Sequence, residues 1–145
     1  MSRVKIKFPA EKPLTIVTIP VRIGDVNYGG HLGNDAVLSI MHEARVQLLA
    51  GLGMTEMDAG GAGLIMADVA IAYKGEGFYG DVLEVAIYAT EITGVSFDLL
   101  YHITAQRKDA GIDIAQAKTG MVCFDYDKRK VTAMPARLKS ALENL

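Results

Sequence analysis

The sequence predicts an α+β fold, in which one long helix lies across one face of a curved antiparallel sheet. Three observations carry the prediction. One apolar stripe at helical spacing follows the first strand-like segment. Four further strand-like segments come after it. The breaks between those segments are short, as antiparallel hairpins and meanders require.

Residues 14–23 (LTIVTIPVRI) are rich in β-branched side chains and read as a strand, with Pro20 pointing to an edge position or a bulge. Residues 24–34 (GDVNYGGHLGN) form a loop dense in Gly, Asn and Asp. Val37, Ile40, Met41, Ala44 and Leu48 then fall on one face of a helix running from about 34 to 52. Asn34 is its expected N-cap, Asp35 suits the positive end of the helix dipole, and Gly51 and Gly53 can stop it. The segment 62–72 is nearly continuous apolar. In 81–90 the residues Leu83, Val85, Ile87 and Ala89 share one face, and in 95–107 Phe97, Leu99, Tyr101, Ile103 and Ala105 do so. A last long strand, 112–126, ends in a charged turn at 127–130. The breaks fall at 75–80, 93–94 and 109–111. A short helix over 135–145 opens with Pro135 at N1.

The length of 145 residues is that of one domain, 1–145. Fifteen Lys and Arg against seventeen Asp and Glu leave a net charge of −2, which argues against nucleic acid as the partner. Half the residues are hydrophobic and 22% are charged, a balance that excludes a disordered chain. The mean hydropathy of +0.22 is high for a small monomer, so some apolar surface is expected to be covered by a second subunit. The most apolar stretch, 60–73, is broken by Asp68 and is shorter than the ~20 residues a membrane-spanning helix needs. No membrane partner is expected. The N-terminus lacks the apolar core of a signal peptide, which makes the cytoplasm the expected location. Cys123 is the one cysteine; it permits no intrachain disulfide and no cysteine zinc site, and reads as a small core hydrophobe.

Three blocks of the sequence resemble one family. The run 21–45, VRIGDVNYGGHLGNDAVLSIMHEAR, is similar to the first strand, loop and central helix of the 4-hydroxybenzoyl-CoA thioesterase-like branch of the hotdog-fold superfamily, with Arg22, Asp25, Gly30, His31, Leu32, Asn34, Leu38, Glu43, Ala44 and Arg45 in register. The run 73–85, YKGEGFYGDVLEV, resembles that family's hairpin, and 134–142, MPARLKSAL, its closing segment. The resemblance implies a sheet wrapped around a central helix and a homodimer or homotetramer with active sites between subunits. It also implies an acyl-CoA or acyl-carrier thioester as ligand, and hydrolysis to acid and thiol with no metal and no cofactor.

One position departs from the family pattern. Its catalytic carboxylate corresponds to Asn27, and an amide can donate a hydrogen bond but cannot act as carboxylate nucleophile or base. Asp25, Asn27 and His31 also resemble the D-x-N-x-H signature of plant-type acyl-carrier-protein thioesterases, with Gly29 and Gly30 inserted. The acid is then Asp25 or Glu43, and Glu43 is favoured because a helix holds its side chain more rigidly. Glu43 lies about 120° from the centre of the apolar stripe, either as a solvated flank or facing a partner subunit. Asp25 either serves there or caps a turn. His31 either takes part in the chemistry or orients backbone. Backbone N–H groups around Gly33, Asn34 and Asp35, at a helix start, suit a developing oxyanion. Tyr28 and Lys74 are further candidate substrate contacts. The loss of the usual acid at Asn27 leaves a second reading open, a thioester-binding module without hydrolysis.

Overall fold

The computed structural model describes residues 3–143. Strand β1 (Thr15–Pro20) leads through a short 3-10 turn (Ile23–Asp25) into helix α1 (Asn34–Gly51). Strands β2 (Gly63–Tyr73), β3 (Val82–Thr90), β4 (Ser96–Arg107), β5 (Ala110–Asp125) and β6 (Lys130–Val131) follow, and then helix α2 (Ala136–Glu143). The strands form one sheet in the order β1-β3-β4-β5-β2, with the short β6 also on β5, and every pairing is antiparallel.

The alternation read in β3 and β4 is the alternation between the two faces of this sheet. Leu83, Val85 and Ile87 are buried together with Phe97, Leu99, Tyr101, Ile103 and Ala105. The register sets Val85 beside Ile103, and Ile103 beside Ala115 of β5. The helical stripe Val37, Ile40, Met41, Ala44 and Leu48 is buried in the same core. Cys123 is part of that core too, and burial pushes its thiol pKa up. On the opposite face the Phe8 ring lies 5.3 Å from both Tyr88 and His102, so the N-terminal segment crosses the back of the sheet.

Several boundaries differ from the sequence reading. Strand β1 stops at Pro20 because residues 22–25 fold back: the Arg22 N–H donates to Asp25 Oδ2 at 2.9 Å and the Asp25 N–H to Arg22 O at 2.9 Å. Gly33, not Asn34, is the N-cap of α1, since the Gly33 carbonyl accepts the first helical bond from Val37 N–H. Pro135 likewise precedes α2, its carbonyl accepting from Lys139 N–H at 3.0 Å, and residues 144–145 of the expected last helix lie outside the described residues. The β4–β5 turn sits at Lys108 and Asp109, both with positive φ (51° and 66°), so Gly111 pairs within the ladder instead of breaking it.

The two outer strands differ. β1 has six residues and ends in proline, and the edge position expected for Pro20 is the one it occupies. β2 has eleven residues, pairs among the described residues only with β5, and carries a bulge between Met66 and Asp68. Asp68 lies over that bulge, accepting from Gly120 N–H at 3.1 Å and pairing with Lys118 at 3.0 Å. Met66, Val69 and Tyr73 of β2 are 39%, 40% and 43% exposed.

Candidate active site

The loop before α1 is a small hairpin of its own. Val26 and Leu32 form an antiparallel bridge, the Asn27 N–H donates to His31 O at 2.8 Å, and the Gly30 N–H donates to Asn27 O at 3.0 Å. Gly30 has φ +85°, a conformation that glycine adopts without strain. The Asn27 side-chain oxygen accepts from the N–H groups of Gly29 (2.9 Å) and His31 (3.3 Å). That oxygen is therefore committed to the turn.

This hairpin is pinned to the β2–β3 connection. The Leu32 N–H donates to Gly77 O at 2.8 Å, and a Cβ at Gly77 would stand 2.9 Å from the Leu32 Cβ, so only glycine allows the approach. The connection itself is held by Asp81, which accepts from Arg107 Nε at 3.2 Å and from Phe78 N–H at 2.8 Å. The Arg107 hydrogen bond is the main reason the Asp81 carboxyl lies below the ordinary carboxylate range, against an opposing effect of burial. The Arg107 guanidinium also stands 5.0 Å from the Phe78 ring centre.

Between these two loops and the start of α1 is a cavity of about 400 Å³ lined by Asn27, His31, Leu32, Asn34, Val37, Tyr73, Lys74, Gly75, Glu76 and Ile114. The helix opens here without a side-chain cap. The N–H groups of its first turn have no intrahelical acceptor and point where the dipole favours negative charge. The Tyr73 hydroxyl donates to Asn34 O at 3.2 Å. His31 Nδ1 is shielded from solvent and lies 3.3 Å from Glu76 Oε2, without the alignment of a hydrogen bond. The His31 ring is 5.3 Å from that of Phe78. Tyr73 and Glu76 were not singled out from the sequence. The available signal was their place in the block YKGEGFYGD, beside Lys74.

Six of the predicted site residues divide between two cavities, and Tyr28, Gly33 and Asp35 line neither of them. Asp25 and Glu43 line a different one, of about 260 Å³, between α1 and β1, together with Thr18, Arg22, Ser39 and Gln47. Asp25 is buried there and its carboxylate accepts from the Arg22 backbone and guanidinium, so it caps the turn at 22–25. Glu43 is exposed and accepts from Gln47 Nε2 at 2.8 Å. Tyr28 is fully exposed on the loop. Asp35 is exposed at the helix start, and its Oδ1 fills the space that a Cβ at Gly33 would need.

Beneath α1 lies a buried polar network. Arg45 donates from Nε to Glu56 at 3.0 Å and from Nη1 to the Tyr101 hydroxyl at 3.1 Å, and Tyr101 shares a 2.8 Å hydrogen bond with Thr119. Burial disfavours the Arg45 charge, but Tyr101 and Glu56 together outweigh it and leave the guanidinium pKa raised. Burial is also the main reason the Tyr101 pKa is raised, which keeps it a neutral hydroxyl. The network ties helix, loop and sheet behind the cavities.

Residues 21–142 match the family model of the thioesterase-like superfamily. The chain belongs to that superfamily. Its fold is the hotdog fold, a sheet curled around one helix. Among relatives of this thioesterase-like chain, a 1,4-dihydroxy-2-naphthoyl-CoA hydrolase of Synechococcus elongatus is 28% identical over 127 residues, covering 85% of this chain and 90% of the relative. The crystal structure of a 1,4-dihydroxy-2-naphthoyl-CoA thioesterase from Synechocystis superposes with a TM-score of 0.80 at 22% identity, covering 90% of this chain and 96% of that one. A probable thioesterase from Escherichia coli superposes with a TM-score of 0.73 at 25% identity, covering 88% and 96%.

Proposed function

We propose that this thioesterase-like protein hydrolyses acyl-CoA thioesters to free acid and CoA thiol, without metal or cofactor, in the cavity at the start of α1. The observation that carries the reading is the uncapped N-terminus of α1 opening onto a cavity shared with Asn27, His31 and Lys74. Free N–H groups at Asn34 and Asp35 suit the oxyanion that forms when a thioester carbonyl is attacked. Gly33 leaves room at the helix start for the Asp35 side chain. The Asn27 amide NH2 remains available to hydrogen-bond substrate or water. Lys74 at the cavity and Tyr28 on the exposed loop suit the phosphates and the adenine of the CoA tail. Asp25 serves by shaping the loop through Arg22. Glu43, the carboxylate favoured on sequence grounds, lies in the neighbouring cavity and is assigned no part in the proton transfer.

Two chains complete the site, as a homodimer or a pair of such dimers. The long, apolar, one-sided strand β2 supports this, and its last residue, Tyr73, reaches the cavity. The cytoplasm is the compartment we assign, in keeping with one buried, unpaired cysteine. The relatives' substrates make aromatic acyl-CoA esters the first to try.

The test is thiol release by purified protein from a panel of short, long and aromatic acyl-CoA esters. Turnover on at least one class is expected, and none above background would overturn the reading. Thermal stabilisation by CoA esters with no thiol released would instead mark a binding module.

A further inference from the structure

We propose that His31 is the general base of this site and that Glu76 is its positioning carboxylate. The inference rests on the hydrolase reading above and supplies the proton acceptor that Asn27 cannot be. Of the side chains lining the cavity, Asn27 and Asn34 are amides, and Lys74 and Tyr73 are of types that hold their protons at neutral pH. His31 and Glu76 remain. Imidazole is the side chain that exchanges a proton near neutrality, which suits it to take one from water and return it within a turnover.

The geometry assigns the two roles. His31 Nδ1 is shielded from solvent and stands 3.3 Å from Glu76 Oε2 without an aligned hydrogen bond. A shielded imidazole nitrogen left without a partner is unfavourable. The Glu76 side chain is 66% exposed and free to turn into line. With the Nδ1 proton given to Glu76, the lone pair lies on Nε2. The His31 side chain is 41% exposed although its Nδ1 is covered, so the ring's open edge is the one away from Glu76. The backbone fixes the ring's position from two sides, through His31 N–H to Asn27 Oδ1 and Asn27 N–H to His31 O.

The step balances without any other reactant. Water oxygen forms a bond to the thioester carbonyl carbon as His31 Nε2 takes its proton, and the carbonyl oxygen becomes the oxyanion at the helix N–H groups. The carbon–sulfur bond then breaks, the thiolate takes the proton from the imidazolium, and acid and thiol leave.

Steady-state thiol release by wild type, His31→Gln, His31→Ala, Glu76→Gln and Glu76→Asp, on one good acyl-CoA substrate, tests this. Circular dichroism confirms that each variant folds. His31→Gln is expected to lower kcat by about 10²–10⁴-fold with little change in KM. Added imidazole is expected to restore part of the His31→Ala activity, which a merely structural role would not allow. Glu76→Gln is expected to lose about 10-fold or more in kcat, partly recovered in Glu76→Asp. An active wild type with kcat of His31→Gln within threefold of it would overturn the base. Glu76→Gln indistinguishable from wild type would overturn the positioning role. A wild type that releases no thiol from any ester would sink the hydrolase reading itself, and the base with it.

Discussion

Asn27 shows how one atom's replacement redistributes the work of a site. Its oxygen holds Gly29 and His31 through their N–H groups, a task a carboxylate oxygen performs equally well. Asn27→Asp therefore keeps the turn, and its melting temperature is expected to match wild type. Asn27→Ala removes that acceptor and with it both hydrogen bonds, and is expected to cost about 1 kcal/mol, read from urea unfolding. Because the turn also places His31, the Ala variant is expected to lose kcat as well, while Asn27→Asp stays active. Glu43 is the contrasting case. It is exposed, bonded to Gln47, and lines the α1–β1 cavity instead. Glu43→Gln is expected to keep kcat within about threefold of wild type on the same substrate. A loss of 10²-fold or more, the scale of a missing general base, would return the role to Glu43.

At the scale of elements, the site is made where two connections meet. Leu32 N–H to Gly77 O joins them, and Asp81 with Arg107 stiffens the second. Because the Asp81 carboxyl is held below its ordinary range, its contribution to stability is present above the unfolded-state value of about 3.9 and is lost as pH falls through the lower folded-state value. Melting temperatures of wild type and Asp81→Asn are therefore expected to differ at pH 7 and to converge as the pH falls through the lowered folded-state value. A constant gap across that range would refute the linkage. The helix stripe and the alternation in β3 and β4 were legible because 3.6- and 2-residue periods are properties of a single segment. The division of the site was not. Glu43 lies nine residues beyond Asn34, half a turn round the helix at about 100° per residue, so matching one sequence block could not place both in one cavity. The contact between His31 and Glu76 depends on the docking of two distant loops through Gly77, and neither segment's pattern encodes it.

At the scale of the whole molecule, the sheet has two free edges that are protected unequally. β1 is short and ends in Pro20, features that discourage further pairing. β2 is long and presents Met66, Val69 and Tyr73 on the face that bears the core, beyond the reach of α1. An antiparallel strand can pair with its own copy across a two-fold axis, which would bury these residues and account for the high mean hydropathy. In that arrangement the partner would reach the cavity beside Tyr73, which would couple assembly to activity. Val69→Lys places a charge in the middle of the β2 edge while leaving His31, Glu76 and the start of α1 unchanged. Sedimentation equilibrium is expected to find wild type as a dimer or tetramer and the variant as a folded monomer with thiol release reduced at least tenfold. Raising the variant's concentration is expected to recover activity in step with the dimer fraction. A wild type that is monomeric at assay concentrations and fully active would show instead that one chain holds the complete site.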